Sequence, residues 1–334
     1  MNSFGEKWSF TSFGESHGVA IGGVLDGVPA GLRIDLEMIR AELLRRKGMR
    51  GLGDERISGL EDERMRGLAD ERINGLAVVG VSPRAVREPD EVEWLSGVIE
   101  VTNEGVSELV SLGTPIAFII RNKDARPEDY EWLKTSYRVG HADKVYEQKY
   151  GIRDWRGGGR ASARETAGRV VAGCIAKQEL AQKGISIQAR LVQVGAETNP
   201  EKFAETIASY QREGDSIGGI VECVIKGLPA GTGEPIFNKL QAELAFAMMS
   251  INACKGFEYG TGFGGVTQAG SAINHISGGI AGGISDGTDI TFRCVFKPTP
   301  STPKAGVKGR HDACVATRAV PIVEAMTALV FVNS

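Results

Sequence analysis

The chain has 334 residues, of which 42% are hydrophobic and 24% are charged, which is enough to bury a large core. Its formal net charge of -3 argues against a nucleic-acid partner, because binding nucleic acid requires a basic face. No apolar stretch approaches the ~18 residues that a membrane span needs, so we expect no membrane partner either. The 45 glycines, roughly twice the average share, predict many tight turns and close backbone approaches.

The first elements are two strands and a helix. Residues 7–11 predict a short strand, and residues 19–34 predict another with turns at 27 and 29–31. Residues 35–46 predict a helix, because Asp35 can cap its start and the apolar residues that follow share one face.

An eight-residue repeat follows the helix, with copies at Gly51–Ser58, Gly59–Arg66 and Gly67–Asn74. At ~100° per residue a period of eight drifts about 80° per copy, so it gives no steady helical stripe. A glycine in every copy weakens a helix further. We interpret residues 51–76, approximately, as an inserted, mobile and charged loop; an ordered arm that contacts another subunit is the alternative.

The rest of the chain mixes strands and helices without strict alternation, which favours an α+β fold over a doubly wound sheet. A helix is expected from Ser162 to about Lys183, because Ser162 and Glu165 have capping-box spacing. A glycine-rich loop is expected over 256–288. The other predicted elements are strands at 91–101, 113–121, 185–195, 217–227 and 289–296, and helices at 127–137, 235–251 and Val320–Phe331, the last with Pro321 in its first turn.

The glycine run at 157–159 precedes the predicted Ser162 helix. Glycines let backbone amides approach a ligand, and a helix N-terminus favours an anion. The spacing matches neither a dinucleotide-binding fingerprint nor a phosphate-binding Walker loop. A tight turn between strand and helix is the alternative interpretation.

Two histidines and one charged triplet are candidate catalytic groups. His17 and His141 lie in glycine-flanked loops, where each could donate a proton, and Arg310-His311-Asp312 combines an anion clamp with a carboxylate. Structural or surface roles are the alternatives. No His/Cys cluster has zinc spacing, so no metal is expected. Five scattered cysteines, an odd number without a C-x-x-C pair, favour a reducing cytoplasm.

Taken together, several segments resemble chorismate synthases, and they occur in that family's order over nearly the whole chain. The segments are Thr11–Gly18, Arg138–Asp143, Tyr150–Glu165, Ser250–Gly256, Gly278–Ser285, Lys297–Ser301, Gly309–Asp312 and Arg318–Pro321.

The resemblance implies one catalytic domain over residues 1–334, an α+β sandwich with helices between sheets, and a cytoplasmic homotetramer. It implies a lyase that converts 5-enolpyruvylshikimate 3-phosphate into chorismate by an anti-1,4 elimination of phosphate. This is the last common step of aromatic amino acid biosynthesis, in the shikimate pathway. Reduced FMN would be required without net redox change, and NADPH is a candidate reductant.

The resemblance also assigns roles to residues. His17, His141 and Asp312 would be catalytic, and Arg46 and Arg50 would bind substrate or NADPH. The FMN-binding residues would be Arg160, Ala161, Ser162, Asn252, Ala253, Gly282, Lys297, Pro298, Thr299, Pro300, Ser301 and Arg310.

The chain departs from the family pattern at several places. Ala161 replaces a serine, and Val139 and Ala313 replace prolines. Residues 101–112 are longer than usual, and 264–274 and 302–308 are shorter; with the octad repeat, all four changes are expected in loops. The alternative function is therefore a flavin- or anion-binding homologue whose altered loops impair catalysis. A third hypothesis is an interaction protein that uses the repeat as an arm.

Overall fold

The computed structural model places helices between two antiparallel β-sheets, and it describes residues 1–47, 89–103, 106–272, 277–307 and 312–334. The octad repeat, Arg50 and Arg310 lie outside these residues.

The described secondary structure comprises fourteen strands and six α-helices. The strands are β1 (Ser3–Phe4), β2 (Ser9–Phe13), β3 (Ala20–Asp26), β4 (Arg33–Ile34), β5 (Val92–Ser96), β6 (Val98–Asn103), β7 (Val106–Ser111), β8 (Ile116–Arg121), β9 (Ser186–Val194), β10 (Gly219–Lys226), β11 (Cys254–Tyr259), β12 (Ile280–Ala281), β13 (Ile284–Ser285) and β14 (Ile290–Phe296). The helices are α1 (Leu36–Arg46), α2 (Asp143–Tyr150), α3 (Thr166–Gln182), α4 (Pro200–Arg212), α5 (Leu240–Met249) and α6 (Ala316–Phe331).

The two large sheets have the strand orders β1-β2-β3-β8-β5 and β11-β14-β10-β9. Each buries one face with a period of two, as in Ile116, Phe118 and Ile120 of β8 or Phe292, Cys294 and Phe296 of β14. Two smaller sheets, β4-β7-β6 and β12-β13, complete the fold.

Helices α3 and α6 form the middle layer and pack closely on each other. A Cβ on Gly173 of α3 would lie only 2.4 Å from Ala325 Cα of α6, so a glycine is needed for this approach. Helix α3 also contacts β2, β3 and β8 of the first sheet, and α6 contacts β9 and β10 of the second. The predicted α+β sandwich with helices between sheets is confirmed.

A buried ion network joins the helices to the second sheet. Glu324 of α6 accepts hydrogen bonds from Arg45 Nη1, Lys177 Nζ and the backbone N–H of Ala189, at 2.8, 2.6 and 2.8 Å respectively. Glu42 of α1 accepts from the same arginine and lysine. Burial alone would raise the pKa of Glu324, but hydrogen bonds and charge attraction from Arg45 and Lys177 outweigh burial and hold the pKa at about 2.

Replacing Glu324 with glutamine is expected to lower the free energy of unfolding at pH 7 by about 3–5 kcal/mol, because buried cations lose a counterion. The ionised carboxylate stabilises the fold above its unfolded pKa of 4.5, and this contribution is lost as pH falls towards the folded value of about 2. The stability difference between wild type and Glu324→Gln should therefore shrink between pH 6 and pH 3.

Guanidinium unfolding at several pH values measures this difference. The exposed pair of Glu37 and Arg40 supplies the control, because Glu37→Gln should cost no more than about 0.5 kcal/mol. A difference for Glu324→Gln that stays constant with pH would contradict the account.

Most predicted elements occur, with ends shifted by a few residues, and four predictions are wrong. The strand expected over 91–101 is two strands, because Gly97 at φ 78° turns the chain from one sheet into another. The described residues of the lengthened segment 101–112 lie mostly in the antiparallel strands β6 and β7 rather than in a loop. The glycine-rich stretch 256–288 contains most of β11 and the β12–β13 hairpin.

The last helix begins at Ala316, so Pro321 lies inside α6 rather than in its first turn. A proline inside a helix removes one backbone hydrogen bond. Burial offsets this loss, since all residues of α6 but Thr317 are buried between the sheets.

Candidate active site

The described residues form a cavity of about 430 Å³ where three helix ends meet. Arg46 comes from the C-terminal end of α1, Ser162 precedes α3, and Val315 precedes α6. The lining residues are His17, Arg46, Tyr130, Arg138, Gly140, His141, Ala142, Gly157, Gly158, Ala161, Ser162, Ala163, Arg164, Asn252, Ala253, Lys297, Pro298, Thr299, Pro300, Ser301, Asp312, Val315 and Arg318.

The glycine run forms a turn that leads into α3. Ser162 caps a short 3₁₀ turn by accepting the backbone N–H of Arg164 at 3.3 Å, and α3 proper begins at Thr166. Glu165 pairs with Arg169 of α3. The turn that leads into the positive end of this 17-residue helix therefore lies in the cavity wall, which favours an anionic ligand.

His17 is packed against this turn. Its Nδ1 lies 3.0 Å from Ser16 Oγ, and the Tyr130 ring contacts the imidazole edge to face at a centroid distance of 4.8 Å. Gly157 has φ 65°, and a Cβ there would lie 2.2 Å from His17 Nδ1. Only glycine fits both the backbone conformation and the space beside the ring.

His141 is oriented by a carboxylate. Its Nδ1 lies 2.8 Å from Asp143 Oδ1, and Arg138 donates to both oxygens of the same carboxylate. Burial alone would raise the pKa of Asp143, but hydrogen bonds from Arg138 and His141 hold it well below its usual range. Arg138 Nη2 also lies 3.1 Å from Nδ1, but the shorter contact is with the ionised carboxylate, which only accepts. We therefore assign the proton to Nδ1, which leaves Nε2 to act on a ligand.

Asp90 joins two cationic residues of the cavity wall. It accepts from Arg46 Nη2 at 3.1 Å, and it also forms an ion pair with Arg164. Burial alone would raise the pKa of Asp90, but the two guanidinium groups hold it well below its usual range. The carboxylate is therefore ionised and balances part of the positive charge.

Asp312 is held by α6. Arg318 Nη1 donates to Asp312 Oδ2 at 2.7 Å, and Arg318 Nε donates to the backbone oxygen of Arg46 at 3.1 Å. The same guanidinium thus fixes a candidate catalytic carboxylate and the end of α1.

Charge in the lining favours a ligand with several negative groups. The lining contains five cationic side chains, Arg46, Arg138, Arg164, Lys297 and Arg318, and one carboxylate, Asp312. Their attraction is strengthened because protein walls screen charge less than water does.

Several buried polar atoms in the lining have no hydrogen-bond partner among the described residues: Arg46 Nε, Asn252 Oδ1 and Ser301 Oγ. Asn252 Nδ2 donates to Ala161 O at 3.2 Å, so its oxygen is the free acceptor. Its neighbour Ala253 has φ 67°, an uncommon conformation for a residue with a side chain. Buried polar atoms normally find partners, so these atoms indicate a polar ligand.

The structure brings most of the sequence-predicted site residues into this cavity. Arg160 is an exception, because its guanidinium binds the backbone oxygens of Gly14 and Ser12 and the Ser12 hydroxyl. Gly282 lies in the turn between β12 and β13, outside the lining. The residues present are His17, Arg46, His141, Ala161, Ser162, Asn252, Ala253, Lys297, Pro298, Thr299, Pro300, Ser301 and Asp312.

Sequence reasoning did not select Tyr130, Arg138, Arg164 and Arg318. The three arginines lie within the segments that resemble the family, and their positive charge could have indicated a role in binding an anionic ligand. Tyr130 carried no such signal, since a lone tyrosine in a predicted helix is usually a packing residue.

Among the described residues, no group of three or more His, Cys, Asp or Glu side chains is placed to hold a metal ion. None of the helices in that part of the chain has the length and apolarity to cross a membrane.

Comparison with known proteins identifies relatives over the full chain. A chorismate synthase family model matches residues 8–79 and 58–334, two ranges that overlap over residues 58–79. A chorismate synthase of Phocaeicola vulgatus is 44% identical over 386 aligned positions, which cover 100% of this chain and 97% of the relative. A chorismate synthase of Christiangramia forsetii is 44% identical over 99% of this chain and 96% of the relative. One of Porphyromonas gingivalis is 41% identical over 100% of this chain and 95% of the relative.

A solved structure gives the same result. A crystal structure of a chorismate synthase aligns with a TM-score of 0.69 and 27% sequence identity, over 99% of this chain and 92% of that one. The similarity therefore extends over the sheets, the helical layer and the cavity, rather than over a single motif.

Proposed function

The chain belongs to the chorismate synthase family, and we propose that the cavity between α1, α3 and α6 is its active site. The protein is a carbon–oxygen lyase that eliminates phosphate from 5-enolpyruvylshikimate 3-phosphate to give chorismate. The single observation that supports the location is the gathering of five cationic side chains around one cavity, because this substrate carries a phosphate and two carboxylates.

Phosphate departure is the step in which the cavity contributes most. A leaving phosphate gains charge, and donors already held in place stabilise that charge without reorganising. The guanidinium groups of Arg46 and Arg164 are such donors, since both line the cavity and are held in place by Asp90 and Asn122. The anionic parts of the substrate are therefore assigned to this wall.

The two histidines are assigned proton-transfer roles. Gly158 N–H donates to Ser16 Oγ at 3.4 Å, and the same hydroxyl lies 3.0 Å from His17 Nδ1, so it holds the ring against the glycine turn. His141 is assigned a proton on Nδ1, towards Asp143, so that its Nε2 is the nitrogen assigned to proton transfer. Asp312, fixed by Arg318, is the third proton-transfer group.

The residues present fit a flavin. Asn252 Oδ1 is an unpartnered acceptor for a ring N–H, Ser301 Oγ is an unpartnered hydroxyl, and Pro298, Pro300 and Ala253 supply apolar surface. When bound, reduced FMN would lend electron density as phosphate leaves and recover it with the ring hydrogen. We assign this part of the lining to FMN and the arginine wall to substrate.

Replacing Asn252 with alanine is expected to weaken FMN binding about 5- to 20-fold, the loss of one to two kcal/mol for a buried hydrogen bond. Titration followed by flavin absorbance measures the dissociation constant. Asn199→Ala is the matched control, because Asn199 caps the distant α4 and should affect stability alone. Equal FMN affinity in wild type and Asn252→Ala would remove Asn252 from the flavin site.

We assign the protein to the cytoplasm, as a homotetramer. All five cysteines are free and buried, as in a reducing compartment. Phe237, Phe263 and Val266 are 84–87% exposed, which favours burial against another subunit. Light scattering during size-exclusion chromatography tests the oligomer, and a monomer at micromolar concentration would exclude it.

NADPH is the reductant proposed for the flavin. Oxidised FMN supplied with NADPH, compared with chemically reduced FMN, measures this activity. If turnover occurs with chemically reduced FMN but not with oxidised FMN and NADPH, this protein does not reduce its own flavin.

A further inference from the structure

One carboxylate behind the cavity wall joins two of its cationic side chains. Asp90 accepts from Arg46 Nη2 at 3.1 Å and is paired with Arg164 Nη1, and the three side chains are 1–6% exposed. Asp90 is itself absent from the lining. Arg46 ends α1, Arg164 precedes α3 and Asp90 precedes β5, so the carboxylate fixes three separate parts of the chain against one another.

Without Asp90, Arg46 would be poorly held. The other contacts of Arg46 are long, at 3.3 Å to Ala163 O and 3.5 Å to Thr166 Oγ1. Burial, and after it the charges of Arg318 and Arg164, lower the pKa of Arg46 to about 10, against the opposing attraction of Asp90. Two buried guanidinium groups on one wall repel each other, so a counterion determines whether they stay in place.

The protein does not provide a hydrogen-bond partner for every N–H group of Arg46. Its Nε is buried and has no hydrogen-bond partner among the described residues, and the side chain lines the cavity. A ligand in the cavity could therefore supply the missing acceptor. Arg164 is fixed further by Asn122 Oδ1, which accepts from its Nε at 2.9 Å. The pair therefore presents donors to the cavity in a geometry set from behind.

We propose that Asp90 is a positioning residue, which fixes Arg46 and Arg164 so that they bind an anionic group of the substrate together. This inference rests on the proposed function, in which the arginine wall receives the substrate. Asp90 acts through the two arginines and sets substrate affinity without touching the substrate.

Charge attraction alone predicts the opposite result. Removing a carboxylate makes the cavity more positive, and attraction alone would then tighten the binding of an anion. Positioning predicts weaker binding, because the arginines separate. The direction of the change in KM therefore distinguishes the two explanations.

The test compares Asp90→Asn with Glu42→Gln. Glu42 is also a buried carboxylate paired with two cations, Arg45 and Lys177, but it lies outside the cavity lining. Both variants should lose stability. Asp90→Asn should raise the substrate KM at least 10-fold with FMN affinity within twofold of wild type, whereas Glu42→Gln should leave KM within twofold.

A KM that is unchanged or lower in Asp90→Asn would overturn the inference, as would an equal rise in Glu42→Gln. Should Asp90→Asn not fold, Asp90→Glu keeps the charge but displaces it by one methylene, and its KM should rise likewise. If wild type shows no turnover, the proposed function fails instead. Calorimetry with inorganic phosphate then tests Asp90 separately, with weaker binding to the variant expected and equal or tighter binding contradicting the inference.

Discussion

Replacing His141 with alanine is expected to lower kcat by about 100-fold, a typical contribution of a general acid or base. Asp143 accepts from Nδ1 of this histidine, so Nε2 is the nitrogen assigned to proton transfer. The fold should survive, because His141 lies in the loop before α2. His17→Ala should have a loss of similar size.

A second variant separates chemistry from structure at His141. His141→Asn keeps a side-chain N–H in the position of Nδ1, so it can still donate to Asp143, but it has no counterpart of Nε2. Steady-state kinetics should show the same loss for asparagine as for alanine. Full activity of His141→Asn would mean that the histidine only supports the loop.

Replacing Gly157 with alanine is expected to lower turnover by about 100-fold, because the new methyl group displaces a proton-transfer residue. An alanine Cβ would lie 2.2 Å from His17 Nδ1, so the ring must move. The positive φ of 65° adds a backbone cost of roughly 1–2 kcal/mol.

Gly151→Ala supplies the matched control for Gly157→Ala. Gly151 ends α2 with φ 73°, and a Cβ there would meet nothing within 4 Å. Both variants carry the backbone cost, but only Gly157→Ala crowds His17. Thermal unfolding should show that both variants still fold, with the larger loss for Gly157→Ala because of this crowding, and turnover should fall in Gly157→Ala alone. Equal activities would contradict the assigned role of His17.

Asp312→Asn should retain FMN binding and lose turnover. The amide keeps the shape of the carboxylate but cannot take up a proton comparably, and Arg318 can still donate to its oxygen. Flavin titration and kinetics on the same sample measure the two effects. A collapse of FMN binding would show that Asp312 holds the loop instead.

Helix caps and tight turns could be predicted from the sequence, because they depend on residues that are close together in the chain. Asp35 caps α1 by accepting from the Met38 N–H, as its position before an apolar face predicted. The glycine run before Ser162 forms the turn into α3 because positive φ at Gly157 and Gly159 requires glycine. The α+β class likewise followed from the order of the elements.

Long-range contacts could not be predicted from one sequence. Asp90 is 44 residues from Arg46 and 74 from Arg164, and no periodicity links them. Arg160 was assigned to the flavin by its motif, but its side chain binds the backbone of β2 and the residue after it. Which arginine of a motif faces a cavity depends on packing, which a motif does not encode.

Anaerobic turnover with 5-enolpyruvylshikimate 3-phosphate and chemically reduced FMN tests the account most directly. We expect chorismate and inorganic phosphate in equal amounts over many turnovers, with the flavin still reduced at the end. Binding of both FMN and substrate without chorismate formation would contradict this account and identify the chain as a ligand-binding homologue with impaired catalysis.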